Sequence, residues 1–160
     1  ANIQSGQKVL IYGASGSVGT YGVQIAKSLG ADVTGVCSGP NVELVRSLGA
    51  DEVIDYTARD FTEGDEIYDV VFDAVGKLSP SQGKTALTRA GVYLNVNKGS
   101  GSSVDPGDLS LIKNLIEQGV LRAVIDRRYP LEEIVEAHHY VGKGHKVGHV
   151  VISVVTADRS

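Results

Sequence analysis

Val9-Leu10-Ile11-Tyr12-Gly13-Ala14-Ser15-Gly16-Ser17-Val18-Gly19 carries the reading of the fold. Four aliphatic or aromatic residues run without a polar break and stop at a glycine. Beyond the turn, Val18, Gly22, Ile25 and Leu29 recur at helical spacing, and Gly30 supplies a C-terminal stop. The unit is strand, turn, helix, and it repeats outward. Val33 to Cys37 predicts a second strand; Val42, Val45 and Leu48 predict a short helix stopped by Gly49. Val53-Ile54 and Val70-Val71-Phe72 predict a third and a fourth strand, Ser81 to Thr88 a weaker helix, and Val92 to Val96 a fifth strand. The strands are apolar at consecutive positions, which burial on both sheet faces requires. Strands and helices in alternation give a parallel sheet with right-handed crossovers. The expectation is an α/β fold, a doubly wound parallel sheet of about five or six strands.

The pattern changes after Lys98. Residues 99–103 read Gly-Ser-Gly-Ser-Ser, a linker composition. A helix restarts with Asp105 as N-cap and Pro106 at its first position, with Leu109, Ile112 and Ile116 on one face. Ala123 to Ile125 predicts a short strand, and Pro130 opens a helix through Leu131, Ile134, Val135, His138 and Val141. Val147 to Val155 closes the chain as an apolar strand, so a C-terminal helix and strand are appended to the sheet. The 160 residues carry 15 Lys and Arg against 19 Asp and Glu, a net charge of −4 that argues against a dedicated nucleic-acid surface. No apolar run approaches the roughly 20 residues a membrane-spanning helix needs. A single cysteine, Cys37, excludes an intrachain disulfide and suits the reducing cytoplasm.

Ala14-x-Gly16-x-x-Gly19 between a buried strand and a helix is the dinucleotide turn of the Rossmann fold, with alanine in the first glycine slot. A small Ala14 permits the tight turn, Gly16 lets a pyrophosphate approach the backbone, and Gly19 packs the helix on the strand. The amides and positive end of the helix would hold the phosphates. A site for NAD wants an acid at the end of the second strand, about 20 residues on, to bind the ribose hydroxyls. Cys37-Ser38-Gly39-Pro40-Asn41 has none. Ser38 and Asn41 can donate to a 2′-phosphate, although the nearest base is Arg46. NADP(H) is therefore expected over NAD(H). The missing acid also counts against a methyltransferase. His138, His139, His145 and His149 lack ligand-like spacing with a cysteine or carboxylate, so no metal site is expected. No catalytic acid–base set or nucleophile is visible.

Several stretches in order resemble the medium-chain dehydrogenase/reductase superfamily: residues 9–19, 23–31, 47–56, 68–76, 91–95, 127–138 and 144–152. The alanine form of the turn resembles its quinone oxidoreductase branch, which lacks catalytic zinc. The resemblance implies a cofactor domain over 1–121 and a C-terminal segment, 122–160, that completes a substrate domain. In the family the substrate domain comes first, and this chain begins at the linker into the cofactor domain. The run at 99–103 stands where the family has a further helix and a sixth strand, as a spliced deletion would leave it. Carried over, Ala14, Ser15, Gly16, Ser17, Val18 and Gly19 should bind pyrophosphate, and Ser38 and Asn41 the adenosine ribose or its phosphate. Tyr56 should contact the cofactor, with Ala74, Val75, Gly76, Asn95, Val96 and Asn97 near the nicotinamide. The parent would transfer hydride from NADPH to a quinone, enone or related carbonyl, while the isolated chain binds without turnover. A nucleotide-sensing or RNA-binding module is the alternative. A homodimer is expected, with residues 147–155 pairing with an edge of the sheet in its own or a second molecule.

Overall fold

The computed structural model describes residues 2–98 and 105–154. Five strands form one all-parallel sheet: β1 (Lys8–Tyr12), β2 (Asp32–Cys37), β3 (Glu52–Asp55), β4 (Tyr68–Asp73) and β5 (Leu87–Asn95). Their order is β3-β2-β1-β4-β5. The chain therefore winds outward from β1 in one direction, then crosses over to build β4 and β5 on the other side. The reversal leaves a crevice at the carboxyl ends of β1 and β4, where open sheets of this kind hold ligands.

Consecutive apolar residues in each strand serve two cores. Val9, Ile11, Val33 and Val70 enter the one that also holds Val23 and Ala26 of α1 (Ser17–Ser28) and Val45 of α2 (Val42–Ser47). Leu10, Val36 and Val71 enter the other, with Ile54, Phe61, Tyr68 and Ala86. Both helices end at glycines in left-handed backbone, Gly30 at φ +79° and Gly49 at φ +104°, conformations a side chain would strain.

Two elements differ from the sequence expectation on this side of the chain. The weaker helix, α3 (Pro80–Thr85), starts earlier because Ser79 and Gln82 close a reciprocal cap at its N-terminus. Strand β5 begins at Leu87, opposite Tyr68, and runs past a register shift into the apolar stretch at Val92.

Beyond the sheet, α4 (Pro106–Glu117) is capped by the Asp105 side chain, which accepts from the Gly107 amide at 2.9 Å. Its Leu109, Leu111, Ile112 and Ile116 are exposed. The Gly/Ser run at 99–103 lies outside the described residues. A separate two-stranded parallel sheet joins β6 (Ile125–Pro130) to β7 (His149–Ser153), with α5 (Ile134–Gly142) between them in sequence.

This corrects three expectations. The strand near 123–125 begins where that expectation ended and extends through Asp126-Arg127-Arg128, polar residues at half-buried and exposed strand positions. Pro130 closes β6 and leads into a 3-10 turn at 131–133, so the helix starts only at Ile134. Most directly, β7 pairs with β6, Ile125 to His149 through Pro130 to Ser153. The backbone of β7 therefore has its partner within the chain and does not pair with the edge of the five-stranded sheet.

Candidate functional site

At the crevice the glycine turn folds back on β2: the amides of Gly13 and Ala14 both donate to Val36 O, at 3.0 and 2.9 Å. Gly13 holds φ +81°. Gly19 has no room for a side chain, since a Cβ there would lie 2.1 Å from Gly13 O and 2.8 Å from Ala14 Cα. Gly16 differs: a Cβ would meet only Gly13 O, at an ordinary 3.4 Å. It is the N-cap of α1 and offers no side chain to the first-turn amides, which an N-cap side chain would otherwise satisfy.

A cavity of about 440 Å³ opens here, within the range of small-molecule sites. Ser15 and Gly16 line it from the turn, Ser38 and Asn41 from the loop after β2, Tyr56 from the end of β3, and Val75 from the loop after β4. Asn41 Nδ2 donates to Ser38 Oγ at 3.1 Å and to Ser15 Oγ at 3.3 Å, which ties the loop after β2 to the turn. Tyr12 also lines the cavity; burial and the nearby Asp73 push its phenol up, so it stays a protonated donor at neutral pH. Among the described residues, no Asp or Glu lines the cavity. The nearby carboxylate of Asp55 faces Thr57, accepting its amide at 2.9 Å and its hydroxyl at 2.7 Å.

The other expected residues sit elsewhere. Ala14 and Ala74 are buried against the core. Val18 and Gly19 belong to α1, where Gly19 serves packing. Ser17 does not line the cavity but bonds the C-terminal loop, donating to Gly148 O at 2.7 Å. Gly76, at φ +69°, is pressed against the Asn97 side chain. Asn95 and Val96 line a different cavity, beside β5 and Lys84. The amide of Asn95 is already engaged, donating to Asp73 Oδ2 and Tyr93 OH, both at 3.1 Å, and accepting from Asn97 N at 2.9 Å.

Three features of the site escaped the sequence. Asp73, wholly buried, accepts from the amides of Val75, Gly76 and Leu78 at 3.1, 2.8 and 2.8 Å, and so shapes the loop after β4. Cys37 lines the cavity floor, its thiol pushed up to about 11 by burial and then by Asp55, and is therefore neutral. Lastly, Lys77 and the segment Gly144-His145-Lys146-Val147 complete the wall. A cation more than a hundred residues from the turn gives no local signal; only the resemblance at 144–152 pointed to that stretch.

A family model described as zinc-binding dehydrogenase matches residues 17–137. A mitochondrial NAD(P)H oxidoreductase of Mus musculus is 34% identical over 192 residues, covering 94% of this chain and 48% of that protein. An NADPH-dependent alkenal/one oxidoreductase, chloroplastic, of Arabidopsis thaliana is 32% identical over 164 residues, covering 92% of this chain and 41% of the other. The solved quinone oxidoreductase from Coxiella burnetii superposes with a TM-score of 0.85 at 26% identity, over 97% of this chain and 55% of that one. The chain thus spans about half the length of the curated relatives it matches. Among the described residues, no group of three or more His, Cys, Asp or Glu side chains is placed to hold a metal ion.

Proposed function

The chain belongs to the zinc-binding dehydrogenase family of the medium-chain dehydrogenase/reductase superfamily, and on that premise we propose that it is the NADP(H)-binding half of a zinc-independent oxidoreductase acting on a quinone, enone or related carbonyl. The observation that carries the cofactor preference is the cavity wall. It has the uncapped start of α1, hydroxyl and amide donors at Ser38 and Asn41, Lys77 and Lys146, and no carboxylate. A ribose that bears a phosphate is accepted by such a wall, whereas a free ribose diol lacks the acid it prefers. When bound, the dinucleotide supplies the hydride. The residues of this chain bind and orient it: Gly16 admits the pyrophosphate, Tyr56 and Val75 flank the cavity, and Asp73 fixes the loop that carries Val75.

Turnover needs a second wall that orients the substrate and excludes water. We assign that wall to the half of the relatives' length that this chain does not span, seated partly on the exposed apolar face of α4. A homodimer is proposed through β5, which lies at the edge of the sheet, since β7 already has its partner. No helix among the described residues is long and apolar enough to cross a membrane. The cytoplasm is proposed on the single unpaired cysteine, and cell fractionation tests it. The relatives lend no support to a sensing or RNA-binding module.

Calorimetric titration of the 160-residue chain tests the reading. NADPH should bind weakly and NADH more weakly, with no quinone or enone reduction above the buffer rate. Tighter binding of NADH would overturn the cofactor preference, and binding of neither would overturn the site. Measurable turnover by this chain would overturn the need for the second half, and a monomer in light scattering would refute the dimer.

A further inference from the structure

The β6–β7 unit is seated on one face of α1, where Ser17, Tyr21 and Gln24 follow one another at helical spacing. Buried Gln24 accepts from Arg122 N at 2.9 Å and donates to Arg122 O at 3.1 Å. Ser17 Oγ donates to Gly148 O at 2.7 Å, and Gly148 N donates to Ser15 O at 2.8 Å. Tyr21, between them, meets His149, the first residue of β7. The two rings have centroids 5.1 Å apart and planes tilted by 42°.

Nε2 of His149 is enclosed at this contact and has no hydrogen-bond partner among the described residues. The groups around it offer none. On α1 the titratable neighbour is the Tyr21 phenol. The loop from α5 brings the Lys146 ammonium near, a like charge to an imidazolium. On β6, Ile125 stands opposite, and Val124 O accepts from the His149 amide at 2.8 Å. Asp126, next along β6, directs its carboxylate to Tyr140 OH of α5 at 2.7 Å and to Val147 N at 3.0 Å. Glu136 of α5 is exposed beside His139.

A neutral imidazole can carry its one proton on Nδ1 and leave Nε2 bare, whereas an imidazolium must place an N–H at Nε2 as well. That proton would be enclosed without an acceptor. The Tyr21 ring offers a cation a weak attraction, which does not replace a hydrogen bond to a charged group. Burial first, and then Lys146, hold the imidazole below its ordinary 6.5.

We propose that the β6–β7 unit is a pH-sensitive latch on α1, seated while His149 is neutral and released when His149 takes a proton in mild acid. Release carries Gly144-His145-Lys146-Val147 away from the cavity and opens that side of it. Free of α1, a hydrated His149 protonates from about pH 6.5 downward; seated, it does so only at lower pH. Seating is therefore complete above about pH 6.5. It weakens as pH falls toward the lowered seated value, by at most about ten-fold per pH unit for one proton. His138, His139 and His145 are exposed, so their charge is alike in both states. The inference is independent of what the cavity binds.

The test is hydrogen exchange of the full chain, read by mass spectrometry as protection factors at about pH 7.5 and about pH 5.5, beside His149→Phe. Phenylalanine keeps a ring on Tyr21 and takes no proton. In the unaltered chain, protection over residues 145–153 should fall by up to about ten-fold in acid while β1 and β4 keep theirs. In His149→Phe it should stay level. Proton NMR of the His149 ring in the unaltered chain needs no variant to fold, and its titration midpoint should lie below about 6.5. An equal loss of protection in both chains, no loss in the unaltered chain, or a ring that titrates at or above its ordinary value would each overturn the latch.

Discussion

Replacing Asp73 by asparagine changes one oxygen for an amino group and almost nothing in volume. The consequence follows from what surrounds it. Oδ1 accepts from Val75 N and Gly76 N, at 3.1 and 2.8 Å. Oδ2 accepts from Leu78 N at 2.8 Å and Asn95 Nδ2 at 3.1 Å, with the Tyr93 hydroxyl at 3.4 Å. In one orientation the new NH2 faces the amides of Val75 and Gly76; in the other it faces Leu78 N, Asn95 Nδ2 and the Tyr93 hydroxyl, in either case at a side chain with 0% exposure. Each buried donor left without an acceptor costs about 1–3 kcal/mol, so two bring the loss to roughly 2–6 kcal/mol. At about 2–4 °C per kcal/mol for a chain of this size, Tm should fall by roughly 4–24 °C. Asn95→Ala, which removes one donor from the same carboxyl, should cost about 1 kcal/mol. Binding should suffer as well, because the loop that loses its anchor carries Val75, which lines the cavity and packs against Gly13. Thermal melts by circular dichroism and NADPH titration read the two effects. If Asp73→Asn melts within about 2 °C of the unaltered chain, Asp73 does not anchor the loop and the reasoning is wrong.

The two turn glycines should separate by phenotype. Gly19→Ala puts a Cβ 2.1 Å from Gly13 O, an overpacking expected to lower stability by about 1–3 kcal/mol in urea melts. Gly16→Val, whose Cβ has room in the protein at 3.4 Å, should keep the fold and abolish NADPH binding; a Gly16→Val chain that unfolds while Gly19→Ala is unaffected would reverse the assignment. Cys37, buried and with its thiol pushed up to about 11, should resist iodoacetamide at neutral pH in the native chain and react once unfolded in urea; native adducts in mass spectra would contradict its placement. The hydroxyl and then the amide of Thr57 hold the Asp55 carboxyl below its ordinary value. That contribution is complete above about pH 4 and is lost as pH falls through the lowered folded value. The stability difference between the unaltered chain and Thr57→Val should therefore be present at neutral pH and shrink in acid, and a difference that grows in acid would refute the assignment.

Much of the site was legible before any coordinates. Residues 9–19 state a buried strand, a turn of small residues and a helix, all local in the chain, and local geometry is what residue spacing encodes. The absence of an acid after β2 was equally local. The loops after β4 and β5 were less so. Asn95 reads as a ligand from its place after β5, yet its amide is satisfied by Asp73 and Tyr93, pairings made across strands that no spacing reveals. Asp73 itself looks like any acid at a strand end until the loop amides that converge on it are seen.

The alternation of aliphatic strands and helices by itself determined a parallel, doubly covered sheet, because burial on both faces leaves no other arrangement of consecutive apolar residues. It determined the dinucleotide turn too, since only residues lacking bulk can stand there. Which edge the last strand would take was beyond it. Apolar residues at 150–152 ask for burial without naming a neighbour, and β6, half polar, did not advertise itself as the partner. Only the tertiary fold paired β7 with β6 and, through Gly148 and Asp126, brought Lys146 to the start of α1. Contacts between residues 129 positions apart are set by the packing of the whole chain, and no window of sequence contains them.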